Sequence, residues 1–201
     1  MLEPIAGRVA VGLALALTLA ACVGSPVASA PSPTASVSAT LSPAGSGTTF
    51  TSAMYGYSID VPPGWSASAA TKRWDGTKSP GNDDPVNDRF VTGVSASAWA
   101  RAAPVTLNLA DYVAATIAGN AQFHGDTCGR EPPDSVEAIT IGGEPGTLLA
   151  WDCGILINVG VTVHGGSGFF FGLRDPGVKG ATDPVDHDLF VAMLASVRFA
   201  D

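Results

Sequence analysis

Basic residues are few in this chain: 10 Lys and Arg stand against 18 Asp and Glu over 201 residues, a formal net charge of −8. Such an acidic surface does not neutralise phosphates, which argues against nucleic acid as a partner and against binding through anionic lipid headgroups. Histidine is sparse too. His124, His164 and His187 lie far apart, and none belongs to a metal-type H-x-x-x-H pair, so each reads as a structural or surface residue. No repeat of solenoid length runs through the chain. After Cys22 there is no specific catalytic signature. The nearest approach, Gly165-Gly166-Ser167-Gly168, lacks the glycine that a nucleophile elbow needs at 169, where Phe169 stands. It reads as a hairpin turn, and a hydrolase built from distant Ser, His and Asp residues is the least favoured function class.

Long apolar runs are missing as well. The one candidate, Val9 to Leu19, is shorter than the roughly 20 residues that span a bilayer. With Arg8 and the amino terminus before it and small residues after it, the run has the layout of a secretory signal. Leu19-Ala20-Ala21-Cys22 resembles the lipobox of bacterial lipoproteins. That resemblance implies a signal peptide over 1–21 and a diacylated Cys22 that tethers the mature chain to the extracytoplasmic face of the cell membrane. One acyl chain binds membranes only marginally, so a stable anchor takes two or more.

Of three cysteines, Cys128 and Cys153 then remain as an even pair in an oxidising compartment, which predicts a disulfide. Closing a loop of about 25 residues stabilises a fold by roughly 3–4 kcal/mol on the chain-entropy account.

Val23 to Thr49 contains no charged or aromatic residue, and Pro26, Pro31, Pro33 and Pro43 interrupt it. A segment that cannot bury apolar surface stays disordered, so 22–49 reads as a Ser/Pro/Thr/Ala-rich linker. As a coil of about 26 residues it spans about 28 Å.

The folded domain is expected over 50–201. Tyr57, Ile59 and Val61 alternate with polar residues as a half-buried strand, and Pro62-Pro63-Gly64 turns the chain. Trp65, Ala67 and Ala69 start a second strand toward Trp74. After a polar loop, Phe90 to Trp99 reads as one strand, with Val94, Ala96 and Ala98 on one side. Leu109, Tyr112, Val113, Thr116 and Ile117 form one face of a helix that Gly119-Asn120 ends. A strand meander follows from Ser135 to Arg174. Asp183 and Pro184 open a last helix with Val185, Leu189, Phe190, Met193 and Leu194 inward, and Ser196 to Phe199 reads as a short closing strand.

Tyr55-Gly-Tyr-Ser-Ile-Asp-Val-Pro-Pro-Gly-Trp65 resembles the opening of PsbP-like domains, and Phe190 to Phe199 resembles their closing helix and strand. With its lipobox and linker the chain is similar to small actinobacterial lipoproteins of the LpqN type. The resemblance implies an α+β fold, an antiparallel β-sheet flanked by two or more helices in an α/β/α sandwich. It also implies a non-enzymatic binding or scaffolding role. Its motifs mark fold and not chemistry, so it assigns no catalytic residue and no cofactor.

Two features bear on a site. The loop Asp75 to Asp88 carries Asp75, Asp83, Asp84 and Asp88, oxygen ligands of the kind calcium takes, but at no known calcium-loop spacing. Such loops are more often solvated turns. Among four tryptophans, Trp65 and Trp151 read as core, and Trp74 and Trp99 as surface candidates for binding. The leading expectation is an envelope protein partner for a lipid-anchored domain. The alternative is a small apolar or lipidic ligand in a cleft between sheet and helix.

Overall fold

The computed structural model describes residues 47–77, 80–92, 96–123, 132–152, 155–175 and 184–201. Cys22, Cys128, Cys153, His124, Val94, Asp183 and the whole 1–46 segment lie outside the described residues.

The period-2 stretches pair into two antiparallel sheets. The smaller holds β1 (Thr48–Ser52), β2 (Tyr57–Val61) and β10 (Arg198–Phe199), with β2 in the middle. The larger has the order β3-β4-β5-β9-β8-β7-β6. Its strands are β3 (Trp65–Ser68), β4 (Asp88–Thr92), β5 (Ser97–Pro104), β6 (Ser135–Ile141), β7 (Glu144–Asp152), β8 (Leu156–His164) and β9 (Ser167–Asp175). Helix α1 (Leu109–Phe123) packs on β7 and β8, and α2 (Pro184–Ala195) packs on β2, β6 and β9. β1 begins inside the segment assigned to the linker, because Phe50 packs its ring edge-on against Phe90 at 5.3 Å and so has apolar surface to bury.

Each face of the large sheet carries its own core. On one face Ala98, Ala100 and Ala102 of β5 lie opposite Leu173, Phe171 and Phe169 of β9. The small alanines leave room for Tyr57, whose ring meets Phe171 edge-on at 5.5 Å. Phe190, Met193 and Leu194 of α2 close this core. On the other face Tyr112 of α1 packs with Leu149, Trp151, Val159 and Val161. This is the expected α+β sandwich.

Turns fall where the glycines allow them. Gly142 and Gly143 both have positive φ, 61° and 86°, as a two-residue turn matched to strand twist requires. Gly165 and Gly166 repeat the device between β8 and β9, so Gly165-Gly166-Ser167-Gly168 is a hairpin and not an elbow.

Three local expectations change. Phe90 to Trp99 is not one strand; β4 and β5 form a hairpin there, with the Thr92 amide bonded to the Ala96 carbonyl at 3.4 Å. The second strand ends at Ser68, because the Ala70 amide turns inward to Asp88 Oδ1 at 2.7 Å. Helix α1 continues through Gly119 and Asn120 to Phe123, since Gly119 keeps helical backbone and no left-handed residue stops the turn there. Its start is capped by Asn108, whose Oδ1 accepts the Asp111 amide at 3.0 Å while its Nδ2 donates to Asp111 Oδ2 at 2.8 Å.

Candidate functional site

The α1 face of β5 carries Trp99, Arg101 and Ala103, opposite Gly172, Phe170 and Gly168 of β9. Arg101 is 3% exposed, in a strand of alanines. Its guanidinium lies 4.1 Å from the Phe170 ring centre and 4.8 Å from that of Trp74. Cation–π contact with two rings partly replaces lost hydration.

The hydrogen bonding of Arg101 is incomplete. Nη1 donates to Asn87 Oδ1 at 3.2 Å, while Nε–H is buried with no partner. None of the described ion pairs, Arg89–Asp83, Arg198–Asp60 and His164–Glu144, includes it. Burial lowers its pKa to about 10, an effect that Tyr112, Tyr55 and Asp84 oppose. A buried cation without a carboxylate partner costs several kcal/mol, so its position calls for a reason.

Two other donors flank it. Trp99, 6% exposed, lies over Gly172, where a Cβ would come within 2.3 Å of its Cε2, and its Nε1–H is also buried without a partner. The Tyr112 ring covers Gly168 in the same way, with a Cβ there 2.6 Å from its Cζ. Burial raises the Tyr112 phenol to about 12 although Arg101 pulls it down, so the hydroxyl keeps its proton. The alternation Gly168, Phe170, Gly172 therefore seats Tyr112 and Trp99 on either side of an aromatic floor beneath Arg101.

The β3–β4 loop forms the rest of the wall. Trp74 is held by its amide donating to the Tyr55 hydroxyl at 3.1 Å, and that hydroxyl donates to the Val86 carbonyl. Asn87 Nδ2 donates to the Gly81 and Asn82 carbonyls at 2.7 and 3.2 Å, so the residue that meets Arg101 also shapes the loop.

The aspartates of this loop are dispersed. Asp75 Oδ1 accepts from the Thr77 amide and hydroxyl at 2.9 and 2.8 Å, and Asp84 Oδ1 accepts from the Val86 amide at 3.2 Å. Asp83 pairs with Arg89. Asp88 is buried and bonded to Tyr57 and Ala70. Among the described residues no three His, Cys, Asp or Glu gather as a metal site, so the calcium candidates Asp75, Asp83, Asp84 and Asp88 do not converge.

Of the tryptophans, Trp151 is buried as expected and Trp65 is half-buried against the core. Trp74 is half-buried over Arg101. Trp99 is not on the surface; the neighbouring strand supplies a glycine that lets the indole lie flat within the fold. His164 is structural, with Nδ1 2.9 Å from Glu144 Oε1 and its ring stacked 4.5 Å from Phe199. No sequence pattern singles out Arg101 as a site residue, although a lone charge within Ala98-Trp-Ala-Arg-Ala-Ala103 is a signal.

No family model and no curated protein matches this chain. Solved structures do. PsbP of the cyanobacterium Synechocystis sp. PCC 6803 aligns at a TM-score of 0.51 and 17% identity, over 76% of this chain and 91% of that one. LpqN of Mycobacterium tuberculosis, described as involved in cell envelope biogenesis, aligns at 0.37 and 12%, over 78% and 91% of the two chains. A Bacteroides thetaiotaomicron protein aligns at 0.47 and 12%, and this chain spans about half its length (49%), with 77% of this chain covered. The PsbP alignment establishes the PsbP-like fold and says nothing of activity.

Proposed function

We propose that this chain is an extracytoplasmic lipoprotein, anchored through a lipid on Cys22, whose domain binds an envelope protein partner and carries out no catalysis. The lipobox and linker support the tether. The observation that carries the binding role is the outer edge of β6. This seven-residue strand pairs with β7 on one side, and Ser135, Val136, Glu137 and Ala138 are exposed, Val136 at 60%. Natural edge strands are usually shortened, charged or covered, and an open one is a template for an added strand. β6 has one charge, Glu137, and an extended segment of a partner would complete its backbone hydrogen bonds.

The apolar-ligand alternative has less support. Tyr112, Val113 and Ile117 of α1 fill the space against β7 and β8 with apolar contacts.

The test places a photoreactive side chain at position 136 of the full-length protein in its own host, with Ser66 on the opposite edge as the control site. One stoichiometric envelope protein captured from 136 and not from 66, and lost on adding Val136→Lys to a β6-neighbouring probe at 138, is the expected result. Equal capture from both edges sinks the β6 reading. Cys22→Ala is expected to release the protein from membranes, and continued tight association would refute the anchor.

A further inference from the structure

We propose that Arg101, Trp99 and Tyr112 form a binding site for one anionic oxygen group, a carboxylate or a phosphate, at the free edge of the Arg101 guanidinium. This inference depends on neither the tether nor the β6 edge.

Donors outnumber acceptors on this face of β5. Arg101 Nε–H and Trp99 Nε1–H are buried and lack acceptors, on side chains that point to the same face of β5 two residues apart. The Tyr112 hydroxyl, on the far side of Phe170, has no hydrogen-bond partner among the described residues. All three can donate, and Arg101 and Trp99 can do nothing else. Among the described residues the single acceptor supplied, Asn87 Oδ1, takes only Nη1. The Nε and Nη2 edge of the guanidinium is left over, and that edge matches two oxygens of a carboxylate or phosphate.

The charge balance agrees. The Arg101 cation has no ion-pair partner among the described residues, although the chain carries 18 acidic residues against 10 basic ones. An arriving anion would supply both the missing charge and the missing acceptor. The half-buried Trp74 roofs the guanidinium from an otherwise exposed stretch, 71–77, so access is through this loop.

The test is a titration of the full-length protein in detergent with sodium acetate and, separately, inorganic phosphate, with chloride holding ionic strength constant. The readout is the Trp99 indole N–H resonance, identified by its disappearance in Trp99→Phe. A saturable shift with either anion is expected; acetate alone would mark a carboxylate ligand and phosphate alone a phosphate. Arg101→Gln is expected to abolish it. Because that variant can fail to fold, Tyr112→Phe provides the second reading, with the shift retained but the affinity weakened about fivefold by one lost hydrogen bond. No saturable response to either anion, or full affinity in Tyr112→Phe, would overturn the site and leave the donors to ordered water.

Discussion

The Tyr57 hydroxyl donates to Asp88 Oδ2 at 2.9 Å inside the core, and this bond joins the small sheet to the large one. Asp88 Oδ1 also accepts the Ala70 amide at 2.7 Å, so one buried carboxyl ties together β2, β4 and the end of β3.

Removing that carboxyl leaves two buried donors unsatisfied. Asp88→Ala is expected to cost about 2–4 kcal/mol, and Tyr57→Phe about 1–2 kcal/mol, since the Ala70 bond survives in the latter. Urea midpoints at unchanged m-value would measure both. Wild-type stability in Asp88→Ala would contradict the role given to this pair.

Stability is expected to fall in alkali. Burial raises the Tyr112 phenol to about 12, and burial with Asp88 beside it pushes the Tyr57 phenol well above its ordinary value. An unfolded phenol ionises near about 10, so above that pH the unfolded chain gives up protons that the folded chain retains. The contribution is whole below about pH 10 and is lost as pH rises toward about 12. Urea midpoints alongside tyrosinate absorbance would follow it, and Tyr112→Phe should make the decline shallower. A midpoint constant across this range would be the wrong outcome.

Two glycines should respond differently to alanine. A Cβ at Gly172 would meet Trp99 Cε2 at 2.3 Å, and the indole is confined, so Gly172→Ala should cost about 3 kcal/mol. Gly143 has nothing within 4 Å of its Cβ position but a φ of +86°, so Gly143→Ala should cost about 1 kcal/mol in backbone strain. Thermal unfolding ranks the two, and the reverse order would show the packing around Trp99 to be looser than described.

Mass spectrometry of the unreduced protein is expected to find Cys128 linked to Cys153, with Cys22 carrying lipid. Two free thiols at 128 and 153 would remove the disulfide from the account.

Much of the architecture was legible because it depends on near neighbours. The alternation of Tyr57, Ile59 and Val61, the paired glycines of the hairpins and the apolar stripe of α1 each act within a few residues. Sequence and structure differ where distant groups intervene. The strand from Trp65 stops because Asp88 draws in the Ala70 amide, and nothing near Ala70 in the sequence announces Asp88. Trp99 is buried and not on the surface, because alternation reveals which side a residue takes but not which side is covered.

The sequence by itself held the lipobox-like stretch 19–22, the acidic balance, the alternation of β2 and β8 with the paired-glycine hairpins, and the resemblance to PsbP-like domains. Tertiary structure alone decided the pairing of β5 with β9, which sets Arg101 beside Phe170 and Trp99 beside Gly172. It also brought Asn87 to Arg101 and Trp74 over it. These residues come from separate strands and loops, so their meeting is a property of sheet order and register, which no local pattern encodes.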